Sequence, residues 1–442
     1  MHVIIIGGGT GGMCLAHGLK RARISTVVYE RDRTRNDGLH GYRVGINATG
    51  NRALAECLPP ELFATFLATC ARAPAYLNVL TEKLKFTAAI PLRDDIDPID
   101  SERSVSRMTL RQVLFTGMED VVHFDKTFTH YAQRADGTIT AFFADGTSAT
   151  GDVLVAADGA NSPVRRQYLP HARVIDTGII GIAAKVPATT ETRKLLPHEC
   201  FHGVSMVFAP KGKFGIWHVM EFKWDADGVI KGGIGGNDAE LIEKWPGLLF
   251  DNTRDYINWG FWTATEKFPS DVMKLRGEEL VRLVMEMTPK WHPNMRRLFA
   301  LADPDSCFAI KIRTSEPVKP WQSSTITLLG DAIHTMTPGQ GVGANTALRD
   351  AALLSRQLAA AHDGSTPLLQ AIADYEAEMI SYGFARVADS LVQNGTSGND
   401  TLHKPVVGRL MLAIIRTYFR AINRIPVLRR KFVDDIYTSH AR

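Results

Sequence analysis

At 442 residues, with 45% apolar and 22% charged side chains, the chain has ordinary globular composition and enough length for two or three compact cores. A net charge of +4 without a basic, aromatic-interleaved run argues against nucleic acid as a partner. Five cysteines without a CxxC pair argue against a thiolate metal site and for a reducing compartment. With no signal peptide and no apolar run near the roughly 18 residues of a membrane span, a soluble cytoplasmic protein without metal is expected.

Residues 3–6 (Val-Ile-Ile-Ile) form a short β-branched run that predicts a parallel strand buried on both faces. Glycines follow, then a helical pattern over residues 13–22 and a second strand pattern over 26–29 that ends on Glu30. Strand, tight turn, helix and strand make one βαβ unit. Its turn, Gly7-Gly8-Gly9-Thr10-Gly11-Gly12, satisfies GxGxxG through Gly7, Gly9 and Gly12. The first glycine permits the turn, the second lets backbone approach a pyrophosphate, and the third lets helix and strand pack closely. Thr10 and Gly11 complete the predicted phosphate turn. Glu30, 18 residues past Gly12, suits ribose hydroxyls and disfavours a 2′-phosphate. Arg31 beside it is counted with the cofactor-binding residues.

Two later runs repeat the pattern. Residues 152–157 read as a buried strand ending on Asp158-Gly159, and residues 325–329 as another ending on Gly330-Asp331. Three strand ends so far apart in sequence predict one sheet built from discontinuous pieces, with the ends converging on a ligand. Between them, residues 173–305 are rich in aromatics (Phe201, Phe208, Phe214, Trp217, Phe222, Trp224, Trp259, Phe261, Trp262) and predict an antiparallel second domain. The expected division is 1–75, 104–172 and 306–375 for a Rossmann-like α/β cofactor domain, 76–103 and 173–305 for a mostly antiparallel β-sheet substrate domain, and 376–442 for C-terminal helices. From Lys404 to Val433 there is no acid, while arginines and apolar residues recur at helical spacing. That amphipathic basic helix is expected to dock on the cofactor domain, with a membrane-surface helix as the rival reading.

Two longer motifs carry a family resemblance. Asp158-Gly159-Ala160-Asn161-Ser162-Pro163-Val164-Arg165 fits DGxxSxxR, and Gly330-Asp331-Ala332-Ile333-His334, continuing through Pro338 to Gly341-Val342-Gly343-Ala344-Asn345, fits GDAxH…P…GxGxN. With the N-terminal fingerprint, residues 1 to about 390 resemble the class A, single-component FAD-dependent monooxygenases of the p-hydroxybenzoate hydroxylase type. The resemblance implies FAD as cofactor and NAD(P)H as transient co-substrate. Asp331 would accept from the ribityl chain. Gly341, Val342, Gly343 and Ala344 would lie against the isoalloxazine, and Asn345 would donate to the ring or hold the turn. Pro338 would stand beside the flavin C4a position. Arg43, in an arginine-containing turn, would meet cofactor phosphates and border the reacting flavin. Arg107 would reach the flavin side of the cofactor, with Arg111 as its rival. Asp158 would line the path shared by FAD and nicotinamide, braced by Arg165, and His334 would be structural. Gly339-Gln340 departs from the bulkier pair usual after Pro338, which leaves the local loop geometry open.

WxWxIP and FxGxxxHxxxW are missing, which disfavours halogenases and Baeyer–Villiger enzymes, and no second GxGxxG marks a nicotinamide domain. The implied chemistry is hydroxylation or epoxidation of a bulky, electron-rich substrate (aromatic, indole or polyketide-like) by O2 through a flavin C4a-hydroperoxide. A biosynthetic cyclase that uses the same scaffold without net oxygenation has the same motifs, as does a non-enzymatic FAD-binding protein. No base is named by a motif; His202 and His218 are candidates only. The oligomeric state is not encoded in any feature of the sequence.

Overall fold

Five parallel strands form the first sheet of the computed structural model, which describes residues 1–35, 43–93, 97, 99–223, 255–392 and 401–441. Their order is Ile326–Leu328, Val153–Ala156, His2–Ile6, Ser25–Tyr29 and Val122–His123. The three predicted strands are therefore neighbours, with the N-terminal strand at the centre. Val3, Ile4 and Ile5 are fully buried, as a strand covered on both faces requires. The helices Thr10–Arg21 and Gly343–His362 pack against each other so closely that a Cβ on Gly18 would lie 2.4 Å from the Ser355 hydroxyl. A three-stranded antiparallel sheet (Phe128–Gln133, Ile139–Phe143, Ser148–Gly151) shares this core, and so does the long helix Leu368–Val392 through Ile372, Tyr375 and Met379. The cofactor half thus extends past the expected boundary at residue 375.

The second sheet has seven strands in the order Phe308–Ser315, Val174–Pro187, Tyr256–Ala264, Lys213–Met220, Gly203–Ala209, Tyr76–Leu80 and Phe86–Pro91. All its pairings are antiparallel except that between Gly203–Ala209 and Tyr76–Leu80. The strand Phe308–Ser315 belongs here, not to the cofactor half where residues from 306 were expected; edge pairing with Val174–Pro187 holds it. Alternate residues face opposite ways. Trp217, Trp259, Phe261 and Ile182 point into a core closed by the helices Gly277–Met287 and Pro293–Ala300, with Phe299 packed against Trp259 at 4.9 Å and Trp217 at 6.0 Å. Most of the aromatic richness is therefore core; Trp224 lies outside the described residues.

The basic C-terminal helix, Val407–Arg424, does not dock on the cofactor half as expected. Its Leu412, Ile415 and Ile422 pack with Val79, Ala88 and Ile90 of the seven-stranded sheet. The outer strands of that sheet leave an apolar face there which needs a cover.

Candidate active site

The glycine turn is dictated by backbone crowding. Gly7 has φ of +108°, and a Cβ there would lie 2.4 Å from the Ala157 carbonyl oxygen; one on Gly12 would lie 2.2 Å from the Gly7 oxygen. Gly9 differs: it is exposed, and its Cβ would meet only the Ala157 oxygen, at 3.9 Å. Crowding on the protein side and room on the outer side, at the start of Thr10–Arg21, suit a phosphate received at a helix N-terminus. Gly11 presses on Leu329, 2.6 Å from where its Cβ would be, so the third strand end converges here too.

Glu30 is buried at the end of the second strand and accepts the Gly8 N–H at 2.6 Å and the Asp32 N–H at 2.9 Å. These bonds fix the carboxylate while leaving lone pairs for ribose hydroxyls. Arg31 is exposed beside it. Arg111 is committed to Asp32 at 2.6 Å, on the same side as Glu30. Arg107, at the first turn of the helix Arg107–Phe115, is exposed yet so enclosed by protein atoms that burial depresses its pKa, and the nearby Asp331 opposes that shift. Asp331 is likewise exposed, with burial raising its carboxyl pKa against the charges of His334 and Arg107. Accessible surface combined with strong desolvation places both groups in a deep cleft rather than on the outer surface.

The motif Asp158 to Arg165 is tied to the next one. Arg165 donates to the Ala332 carbonyl at 2.7 Å and the Ala160 carbonyl at 2.9 Å, and Ser162 caps the helix Pro163–Tyr168. Burial raises the Asp158 carboxyl, and its Oδ1 is buried without a hydrogen-bond partner among the described residues.

Beyond Asp331, Thr337 is pinned to Ser390 by its hydroxyl (2.7 Å) and its N–H (3.3 Å). Pro338, Gly339 and Gly341 then form an exposed ridge. Gly341 has φ of +65°, and its Cβ direction meets no atom within 4 Å. Val342 turns its side chain into the core, and Gly343 and Ala344 begin the helix Gly343–His362. Of the two roles open to Asn345, the geometry matches holding the turn: it accepts the Asn47 N–H at 2.9 Å and donates to the carbonyls of Gly45 (2.8 Å) and Gly341 (3.2 Å). His334 is locked inside the fold. Burial pushes its pKa down, but the adjacent Asp350 charge and the 2.6 Å bond to it outweigh that and raise it. Asp350 also accepts from Tyr382 and from the Gly330 N–H.

Facing these elements is the second side of the seven-stranded sheet. Val204, Met206, Phe214, Ile216, His218 and Trp262 are half-buried on this face, while Ser205, Val207, Gly215, Trp217, Phe261 and Thr263 on the other face are buried. Trp262 lies flat because Gly260 and Gly181 leave it room: Cβ atoms there would fall 2.2 and 2.3 Å from its ring. Three polar atoms of this face, His218 Nδ1, Asn258 Oδ1 and Trp262 Nε1, are buried without hydrogen-bond partners among the described residues, and His218 pairs directly with Asn258 across the strands. Burial, and then the charge of Arg43, hold His218 well below the usual imidazole range, so it is neutral. Lys185, on the same face, donates to the Met108 sulfur at 3.4 Å, next to Arg107. The sheet face and the cofactor cleft are therefore adjoining walls.

Arg43 is not in a turn. It opens the strand Arg43–Ile46, paired with Arg103–Ser106, and is held by Glu102 at 2.6 Å and Ser104 at 2.8 Å. This places it beside His218, at the border between the two halves. The other base candidate, His202, is paired instead with His198 at 3.1 Å. Sequence reasoning missed Asn258, Lys185 and the glycines under Trp262. Polar residues and glycines interrupting apolar strands were the available signal.

The cleft fits FAD: it offers a glycine turn open on its outer side, a buried Glu30 at the second strand end, desolvated Asp331 and Arg107, an Asp158 oxygen unpartnered among the described residues and a bare backbone ridge. Fold and site together define a flavin-binding α/β protein with a β-sheet substrate domain. A family model described as "FAD binding domain" matches residues 285–384. A Photorhabdus luminescens structure, provisionally described as an FAD-containing monooxygenase, superposes with a TM-score of 0.76 at 33% identity, covering 90% of this chain and 98% of that one. Klebsiella pneumoniae HpxO, solved with FAD and uric acid, shares the fold at 20% identity and a TM-score of 0.75, over 100% of this chain and 97% of its own. The FAD-dependent monooxygenase phnB of Penicillium herquei is 29% identical over 90% of this chain and 91% of its own length. The dual O-methyltransferase/FAD-dependent monooxygenase CTB3 of Cercospora beticola is 30% identical over 85% of this chain. This chain spans less than half of the first curated relatives it matches, 44%, 44% and 40% of their lengths. The chain belongs to the class A FAD-dependent monooxygenases, a family whose cofactor is FAD.

Proposed function

We propose that the protein is an FAD- and NAD(P)H-dependent monooxygenase that hydroxylates or epoxidises a bulky, electron-rich organic substrate, aromatic or polyketide-like. The observation that carries this reading is the half-buried apolar sheet face, with its unpartnered His218 and Asn258, adjoining the flavin cleft. A purely structural FAD has no need of such a wall.

FAD, when bound, supplies the redox chemistry by taking electrons from NAD(P)H and activating O2. The chain supplies position and exclusion of water. Gly9 and the first turn of Thr10–Arg21 receive the pyrophosphate, Glu30 the ribose and Asp331 the polyol chain. The N-terminus of Gly343–His362 favours negative charge close to its first turn. Trp262, Phe214 and Ile216 form the floor for a flat apolar substrate, and neutral His218 accepts a hydrogen bond from a substrate hydroxyl, with Asn258 fixing the same edge. Arg43 favours negative charge developing on that oxygen. Asp158 and Pro338 border the cleft where nicotinamide and O2 must approach.

The test uses FAD-loaded protein and a panel of hydroxylated aromatics. Slow NAD(P)H oxidation alone, acceleration by a true substrate, and one atom of isotopically labelled O2 in the product are expected. Replacing His218 by Phe should raise KM for a phenolic substrate roughly ten-fold, the worth of one hydrogen bond, with FAD affinity unchanged. Conversion of the true substrate without NAD(P)H or O2 would replace oxygenation by the cyclase reading.

A further inference from the structure

The last two helices, Val407–Arg424 and Pro426–Ala441, carry a second apolar face that none of the described residues covers. One face of the first helix is accounted for. Leu412, Ile415 and Ile422 are buried on the sheet, Phe419 stacks on Phe208 at 6.1 Å, and Asn423 accepts the Ala89 N–H at 3.2 Å. The other face holds Val407, Leu410, Ile414, Tyr418 and, at its end, Ile425, all exposed and Leu410 by 65%. At 100° per residue these five fall within an arc of about 80°. Val427, 73% exposed, and Leu428 continue the stripe into the next helix.

Charge decides what covers it. No acid occurs between Lys404 and Val433, and the exposed Arg409, Arg420 and Arg424 run along one flank of the stripe, with Lys431 beyond. A second copy docked face to face would bring two acid-free basic flanks together. An anionic bilayer offers both an apolar interior and phosphates. No described helix is long and apolar enough to cross a membrane, so the helix would lie in the interface plane. We propose that this face docks the protein on an anionic lipid surface, with the stripe at the headgroup–acyl boundary and the arginines at the lipid phosphates.

The experiment is co-sedimentation of the full, FAD-loaded chain with phosphatidylcholine vesicles, with and without phosphatidylserine. Binding to the phosphatidylserine vesicles that weakens as salt is raised is expected. The triple variant Leu410→Ser/Ile414→Ser/Tyr418→Ser and the double variant Arg420→Glu/Arg424→Glu should each weaken it about ten-fold or more. Because all five side chains are exposed, flavin absorbance and thermal unfolding should not change, and either variant alone suffices if the other misfolds. Three results would overturn the proposal: no binding of the wild-type chain to phosphatidylserine vesicles, binding indifferent to both variants, or a dimer in sedimentation velocity that the serine variant turns into monomer.

Discussion

The two halves of the molecule encode their tasks differently. In the cofactor half, the candidate site is lined by backbone, and its glycines answer to backbone constraints: Gly7 to the Ala157 carbonyl, Gly12 to Gly7, Gly341 to its left-handed φ. In the seven-stranded half, the candidate substrate wall is a face of alternate side chains from several strands. Many residues could build such a wall. A backbone contact admits one residue type, and a shaped surface admits many, so the first half is narrow in sequence and the second permissive.

The largest expected effect tests that narrowness within one turn. Gly12→Ala places a methyl 2.2 Å from a backbone oxygen that cannot move away. It should cost on the order of 3–5 kcal/mol and abolish FAD retention, read by thermal unfolding and flavin absorbance. Gly9→Ala has 3.9 Å to the nearest protein atom. It should leave the FAD-free protein within about 0.5 kcal/mol of wild type yet weaken FAD, because only the ligand needs that space. Wild-type FAD affinity in Gly9→Ala would remove the pyrophosphate from this turn.

The second contrast lies between the two sides of one strand. Trp217 is buried against Phe299 and Trp291, so Trp217→Ala should destabilise by about 3–5 kcal/mol. Its neighbour Ile216 is half-buried on the cofactor-facing side. Ile216→Ala should cost only about 1 kcal/mol in urea unfolding while raising KM for an apolar substrate. If the two effects are reversed, the assignment of core face and substrate face is inverted.

What was legible in the sequence follows the same division. The three strand ends, the glycine turn and the Asp158 and Asp331 motifs are legible because local backbone geometry restricts them to few residues. Arg43 was readable as a candidate but not as a strand residue, since its neighbours Glu102 and Ser104 lie some sixty positions away. His218 could be named but not chosen over His202. Only the cross-strand register with Asn258, and the neutrality enforced by burial and Arg43, separates them. The C-terminal helix was legible as amphipathic, but its docking partner was not, because an apolar stripe does not encode which apolar face it meets.

A smaller effect asks which half gives way first in mild acid. His17, on the helix after the glycine turn, is buried and bonded to the Leu114 carbonyl at 2.9 Å, and burial lowers its pKa from 6.5 to about 4. The unfolded chain therefore binds this proton more readily than the folded one. Stability from this residue is fully present above about pH 6.5 and is lost as pH falls toward 4. Between pH 7 and pH 5 the loss is on the order of 2 kcal/mol. A His17→Gln variant has no charge to gain, so its unfolding free energy should approach that of wild type, or exceed it, as pH falls over that range. Flavin fluorescence should rise with the loss in wild type, since the helix that bears His17 is the one proposed to receive the cofactor's pyrophosphate. Parallel stability curves for the two proteins would show that His17 is not the group that opens the cofactor half, and would move the acid sensitivity to the other half, where His218 is also held neutral.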